Sequence, residues 1–255
     1  MIISFLVNLN INATKLSNFN FLIFKYKALN EVSSYCNCSE SINFFKKGTQ
    51  HVCSVCNFKT SSFERLPNAD LLCPNCGSLS RDRRLWKLIA EKYLRSNIQI
   101  LDFSPSRSLF RKWKKVSNVK HIASDLSGDF IADVSYDITQ IPEKDAQFDL
   151  IICYHILEHV VDDIKAMSEL FRVLKPNGTV LIQTPFKDGE IYEDYAITSE
   201  SERLIHFGQE DHVRIYSVDG LKKRLESVGF SIIVKQYEKD EYLGFSNEIM
   251  LVATK

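Results

Sequence analysis

The stretch Ile98-Gln-Ile-Leu-Asp-Phe-Ser-Pro-Ser-Arg-Ser108 decides the fold. A short apolar run ends on an acid, turns through Ser and Pro, and enters a helical pattern that lasts to Lys115. That is the layout of a strand, a turn and a helix. The layout recurs downstream. Val119 to Asp125 reads as a second strand, and a short third strand is expected near Ile131-Ala-Asp133. Phe148-Asp-Leu-Ile-Ile-Cys153 is a fourth, followed by a helix from about Asp162 to Leu174. Asp162 or Asp163 caps that helix, and Pro176-Asn-Gly178 stops it. Thr179 to Thr184 is the fifth strand, a helix spans Val218 to Ser227, and Ser231–Val234 and Asn247–Ala253 supply the last two. Strand–helix alternation of this kind implies an α/β fold with a doubly wound, mostly parallel seven-stranded sheet. Such sheets bind ligands at the carboxyl ends of their strands, where the strand order reverses.

Upstream, Cys53-Ser-Val-Cys56 and Cys73-Pro-Asn-Cys76 form two CxxC pairs 16 residues apart. That spacing builds a single tetrahedral site from two knuckles. Asn57 and Gly77 follow the knuckles and suit tight turns. A structural zinc ribbon over residues 51–78 is therefore expected, with Cys53, Cys56, Cys73 and Cys76 as ligands. Reduced cysteines are the bland alternative; disulfides fit poorly with seven cysteines and no convincing secretory signal. Cys36 and Cys38 read as spare thiols. From Ser80, taken as an N-cap, a helix linking the ribbon to the sheet spans residues 79–97, with Leu85, Ile89 and Tyr93 at helical spacing. The sheet domain then occupies 98–255, and residues 1–50 carry no assigned role.

The chain has 255 residues, 45% apolar and 25% charged, which suits a soluble globular protein. No run approaches the roughly 20 apolar residues of a membrane span, so a cytoplasmic location is expected. Asn12-Ala-Thr14 and Asn37-Cys-Ser39 match the glycosylation pattern by chance. Residues 1–97 hold 13 Lys/Arg against 6 Asp/Glu, and residues 98–255 hold 19 against 26. A basic front suits an anionic partner such as RNA; mutual attraction of the two halves is the simpler reading.

Asp102, Asp125 and Asp137 fall at successive strand ends. A lone acid there is usually a cap or turn residue, whereas three in order point to a ligand. Asp125 lies 23 residues after Asp102, the place of an acid that grips a ribose diol. The turn Asp102-Phe-Ser-Pro-Ser-Arg-Ser108 has no glycine, so a pyrophosphate lacks its close backbone approach, which argues against NAD and FAD. Ser104 as N-cap with Pro105 at the first helical position would offer amides to a carboxylate. A ligand with a ribose and a carboxylate but no phosphate fits: S-adenosylmethionine.

Asp102, Asp125, Asp137-Ile138, Phe148 to His159 and Glu169-Leu-Phe-Arg-Val-Leu-Lys-Pro-Asn-Gly178 resemble class I S-adenosylmethionine-dependent methyltransferases of the Rossmann-like fold, and within them the type 11-like group. The resemblance covers roughly residues 98–255. A narrower bacterial subgroup resembles the whole chain, with a Cys-pair module like Leu72-Cys-Pro-Asn-Cys-Gly-Ser78 and a stretch like His206 to Arg214. The resemblance implies that Asp102, Phe103 and the backbone around Ser104 meet the methionine part of the cofactor. It implies further that Asp125 takes the ribose, Leu126 packs near adenine, Asp137 accepts the adenine amino group beside Ile138, and Tyr154 and His155 sit near the methyl.

Methyl transfer is an in-line displacement, so alignment supplies most of the catalysis and a base assists an oxygen or nitrogen acceptor. Candidate bases are His155, His159, His206 and His212, although a single histidine is more often a structural hydrogen-bonder. His206 and His212 lie in the segment after strand five, with Gln209, Asp211 to orient a histidine and Arg214 to clamp an anion. Replacing His206 and His212 by Ala should spare cofactor binding and lower turnover. His155-Ile-Leu-Glu-His159 also matches H-x-x-E-H, the inverted zinc-protease motif, but follows a buried strand rather than lying within a helix. The leading reading is transfer to an oxygen or nitrogen of a small-molecule or glycan-linked acceptor. The alternatives are an RNA base methyltransferase using the ribbon, and a non-catalytic binding module with a decayed pocket.

Overall fold

The computed structural model describes residues 46–255. Cys36, Cys38, both glycosylation-like triplets and nearly all of segment 1–50 lie outside the described residues. Residues 48–255 form one compact unit. Four short strands come first: β1 (Lys47–Val52), β2 (Lys59–Thr60), β3 (Glu64–Arg65) and β4 (Leu71–Leu72), with β1 paired to β2 and β3 to β4. Helix α1 (Ser80–Lys92) follows. The sheet domain then runs β5 (Gln99–Phe103), α2 (Arg107–Trp113), β6 (Lys120–Ser124), β7 (Phe148–Tyr154), a 3₁₀ turn (Leu157–His159), α3 (Asp163–Val173), β8 (Leu174–Gln183), β9 (Tyr192–Glu193), α4 (Glu200–Phe207), β10 (Arg214–Ile215), α5 (Val218–Ser227), β11 (Ser231–Tyr237) and β12 (Glu248–Thr254).

The main sheet has the order β11-β12-β8-β7-β5-β6. Strands β6, β5, β7 and β8 are parallel, and β12 is antiparallel to both neighbours. Side chains alternate between two cores, as a pleated strand requires. Leu101, Phe103 and Ile151 join Met167, Leu170 and Leu221 on one face. Ile100, Leu150 and Ile152 join Leu85, Ile89, Trp113 and Met250 on the other. Burial on both faces explains why β5 and β7 read as continuous apolar runs. The chain leaves β5 toward β6 and returns to the other side of β5 at β7, so the switch point lies between β5 and β7.

Among the described residues the sheet has six strands, where seven were expected. The stretch near Ile131-Ala-Asp133 touches β6 through a single bridge, Ser124 to Val134. The Asp133 and Val134 amides donate to Ala123 O and the Asp125 amide to Val134 O, and side chains complete the contact. Asp133 Oδ2 accepts the Ala123 amide at 3.1 Å, and Ser124 Oγ accepts the Tyr136 amide at 3.0 Å. With the edge of β6 already satisfied, no regular strand is needed to close it.

Two N-caps and one helix stop differ from expectation. The N-cap of α1 is Leu79, whose amide donates to Asp82 Oδ2, rather than Ser80. The N-cap of α2 is Ser106, not Ser104, so Pro105 precedes the helix instead of opening it. Helix α3 is capped by Asp162 and ends at Val173; the Pro176-Asn177-Gly178 turn falls within β8, where the register with β7 shifts.

Candidate functional site

The two cysteine knuckles are near copies. The Asn57 amide donates to Cys53 O and the Gly77 amide to Cys73 O, while Cys53 N reaches Phe58 O and Cys73 N reaches Ser78 O. Asn57 and Gly77 hold φ of 60° and 76°, the left-handed turns that their residue types suit. The four sulfurs lie within 4.8 Å of one another, with Cys53 to Cys76 at 3.7 Å and Cys56 to Cys73 at 3.8 Å. Four thiolates about 2.3 Å from a tetrahedral ion stand close to this spacing. Sulfur hydrogen bonds from Cys56, Cys73 and Cys76 hold the Cys53 thiol far below the ordinary range. The knuckles are locked to the rest of the unit by Arg83. Its fully buried guanidinium donates to Ser78 O, Leu71 O, Leu243 O and Gly244 O and lies 4.1 Å from the Phe63 ring.

At the rim beside the switch point, Asp125 follows β6. Its Oδ1 accepts Ser104 Oγ at 2.7 Å; its Oδ2 accepts Ser127 Oγ at 3.0 Å and the Gly128 amide at 2.6 Å. Ser104 holds φ at +47°, the region that favours glycine. The turn after β5 thus keeps a glycine-like backbone without a glycine, at a cost of about 1–2 kcal/mol. The hydroxyl bond to Asp125 helps offset that strain. Leu126 next to it is 63% exposed, an apolar side chain standing free at the rim.

Asp102 is oriented otherwise. Its Oδ2 takes Trp113 Nε1 and His121 Nε2, both at 3.1 Å, with the Trp113 and His121 rings stacked. Burial pushes its carboxyl up. Phe103 and Ile138 are buried in the opposite core. Asp137 is exposed and follows no strand; its Oδ1 accepts the Thr139 amide and hydroxyl. Tyr154 packs against the same core as Trp113, its hydroxyl buried without a hydrogen-bond partner, and burial raises its pKa well above the usual tyrosine value.

At the carboxyl ends of β7 and β8 lies an open cavity of about 650 Å³. Its walls come from five separate chain segments: Asn68–Asp70 of the cysteine module, Ser80 and Arg81 of α1, His155, Gln183–Phe186, and Ser246–Ile249 before and within β12. His155 holds φ at +55°, and its Nδ1 stands 3.2 Å from Glu158 Oε1. The structure thus brings His155 to the cavity wall.

The other histidines lie elsewhere in the fold. His206 is exposed on α4, with Nδ1 2.6 Å from the Tyr192 hydroxyl. His212 is buried, and Nδ1 faces Phe207 O at 3.3 Å; burial lowers its pKa. Its ring meets that of His159 edge-on at 4.6 Å, and His159 Nδ1 lies 3.0 Å from Asp211 Oδ2, as the sequence expected of that acid. Arg214 is not a free clamp. It is fully buried, paired with Glu193 at 2.9 Å and donating to the Leu157, Val160 and Val161 carbonyls. The H-x-x-E-H letters run from the end of β7 into one 3₁₀ turn, so no helix aligns them as in a protease.

Sequence reasoning missed Arg83, the bond from Ser104 to Asp125, and the cavity residues of the cysteine module and β12. Arg83 sits in a run of charges that reads as a solvated face. The positive φ of Ser104 has no mark in the sequence, and the cavity joins positions up to 181 residues apart.

A family model described as a methyltransferase domain matches residues 79–235. The chain belongs to this methyltransferase family. An uncharacterized protein of Methanocaldococcus jannaschii is 32% identical over 90 residues, 34% of this chain and 36% of that protein. The ubiquinone biosynthesis O-methyltransferase of Bradyrhizobium diazoefficiens is 28% identical over 99 residues, 38% of this chain and 35% of that enzyme. This methyltransferase therefore spans about a third of the length of these curated relatives. A SAM dependent methyltransferase of known structure from Archaeoglobus fulgidus shares its fold, with a TM-score of 0.51 at 18% identity over 69% of this chain and 93% of the other. The six-stranded, mostly parallel sheet is thus the Rossmann-like sheet of class I methyltransferases. No helix among the described residues is long and apolar enough to cross a membrane.

Proposed function

We propose that this methyltransferase moves the methyl group of S-adenosylmethionine to an oxygen or nitrogen of a small-molecule or glycan-linked acceptor. The observation that carries the reading is the hydrogen-bonding of Asp125. Two of its donors are side-chain hydroxyls, from Ser104 and Ser127, and a third is the Gly128 amide. A ribose diol brings two hydroxyl donors of its own and exchanges for the serines one for one, while the Gly128 amide keeps its place on the carboxylate. Exposed Leu126 offers an apolar surface to adenine, and Asp137 with Ile138 would meet its far edge. The turn at Phe103 and Ser104 would receive the methionine part. Asp102, held by Trp113 and His121, would fix that turn from behind.

The bound cofactor supplies an already activated methyl group. The protein's own contribution is alignment and proton removal. The cavity beside His155 has room for the acceptor. With Nδ1 turned to Glu158 at 3.2 Å, Nε2 of His155 is left to take the acceptor proton. Gln183 and Asn68 on the walls would orient polar acceptor groups. We take the ion on the four cysteine thiolates to be zinc in a closed, structural site. By holding Asn68–Asp70 at the cavity, the ribbon would shape acceptor recognition rather than catalyse.

Calorimetry with S-adenosylmethionine and turnover of His155→Ala test the reading together. The expected result is cofactor binding unchanged in the variant and turnover reduced about 10²–10⁴-fold. No heat of binding with the zinc-loaded protein would refute the enzyme reading.

A further inference from the structure

Glu158, His159 and His212 each bring a ligand atom within 4.8 Å of the other two, outside the cysteine cluster. Glu158 is 1% exposed and His212 3%. Neither carboxylate oxygen of Glu158 has a hydrogen-bond partner, and neither does Nε2 of His212. Buried polar atoms in native proteins are nearly always paired, and a buried carboxylate without donors is costly. His155 Nδ1 stands 3.2 Å from Glu158 Oε1 without meeting hydrogen-bond geometry.

The two histidines are oriented alike. Nδ1 of His159 faces Asp211 Oδ2 at 3.0 Å, and Nδ1 of His212 faces Phe207 O at 3.3 Å. An imidazole whose Nδ1–H donates to an oxygen presents a bare lone pair at Nε2, and this outer contact is the one that metal-bound histidines make. The Val213 amide also donates to Glu158 O at 2.9 Å, which holds the segment before β10 against the end of β7.

We propose that Glu158, His159 and His212 form a second metal site, for a divalent first-row transition ion. Two imidazoles and one carboxylate suit zinc, iron, cobalt or nickel and leave coordination positions open. Bonds of about 2.1 Å require ligand atoms about 3.0–3.4 Å apart, so binding draws the three together by roughly an ångström, with half-exposed His159 the freest to move. The ion neutralises the Glu158 carboxylate and gives the His212 Nε2 lone pair a partner. It also ties the segment between α4 and β10 to the turn after β7.

The proposal is tested by metal counting on the full chain, loaded with cobalt in place of other ions. We expect two ions per chain. One gives the strong thiolate-to-cobalt absorption of the cysteine cluster; the second adds only weak visible bands. His212→Asn and Glu158→Gln should each lower the count from two to one and keep the thiolate band, which also reports that the variants are folded. A single ion with the thiolate band in the wild type, or two ions retained in both variants, overturns the proposal. Loss of the thiolate band with a remaining weak-band ion would leave this site standing and remove the cysteine ribbon reading instead.

Discussion

Arg83→Met tests whether one buried guanidinium fastens the cysteine module to the sheet domain. Arg83 is 0% exposed and donates to Ser78 O at 2.6 Å, Gly244 O at 2.5 Å, Leu71 O at 3.0 Å and Leu243 O at 3.1 Å. Methionine keeps the apolar stem and removes every donor. The Ser78 and Gly244 bonds are buried, so two carbonyls lose their partners where water does not replace them, at about 1–3 kcal/mol each. The contact with Phe63 adds about 1 kcal/mol. A loss of about 3–7 kcal/mol follows, a large part of the roughly 5–15 kcal/mol that holds a typical domain. Gly244 leaves no room for compensation, since a Cβ there would lie 2.3 Å from Phe63. Urea unfolding followed by tryptophan fluorescence measures the loss, and metal release to a chromogenic chelator should quicken in parallel. A loss under about 1 kcal/mol with unchanged release would refute the reasoning, because the module would then be held by its other contacts.

Asp125→Asn keeps the size of the side chain but removes the charge, and should weaken S-adenosylmethionine binding by about 10–100-fold, from the loss of two charge-assisted bonds; calorimetry reads the change, and an unaltered affinity would place the ribose elsewhere. Burial pushes the Glu248 carboxyl up to about 7 against the pull of Arg84, 3.0 Å away. A raised carboxyl favours the fold below its unfolded pKa and loses that contribution as pH climbs through the folded value, so stability should fall by up to about 3 kcal/mol between pH 4.5 and 7. Glu248→Gln should flatten that segment of a pH–stability curve, and an unchanged slope would count against the assignment. Cys73→Ser removes a ligand from the cluster and should release its ion on chelator titration, with a lower melting temperature; full metal retention would exclude a four-sulfur site.

Much of this protein is local and was therefore legible in its sequence. The cysteine spacing specifies its cluster because each CxxC turn closes on itself through the Cys53–Asn57 and Cys73–Gly77 backbone bonds. The apolar runs of β5 and β7 announce a parallel sheet because both of their faces are covered. The acid at Asp125 is legible because a strand end and a turn place it at the rim whatever the rest of the chain does. Tertiary structure alone decided who meets whom. The third strand shrank to a single bridge because the Asp133 carboxylate takes the Ala123 amide beside the few backbone bonds around Val134, a competition that strand propensity does not weigh. Asp102 and Asp125 look alike as letters, yet one faces Trp113 and His121 in the interior and the other faces the rim, because pleat and neighbouring helix set direction. Arg83 reads as surface charge and Arg214 as an anion clamp, yet both are the most deeply buried cations among the described residues, since only the folded chain gathers carbonyls from distant segments around them. The cavity beside His155 exists for the same reason: its walls are brought together by the fold from five stretches that span residues 68 to 249.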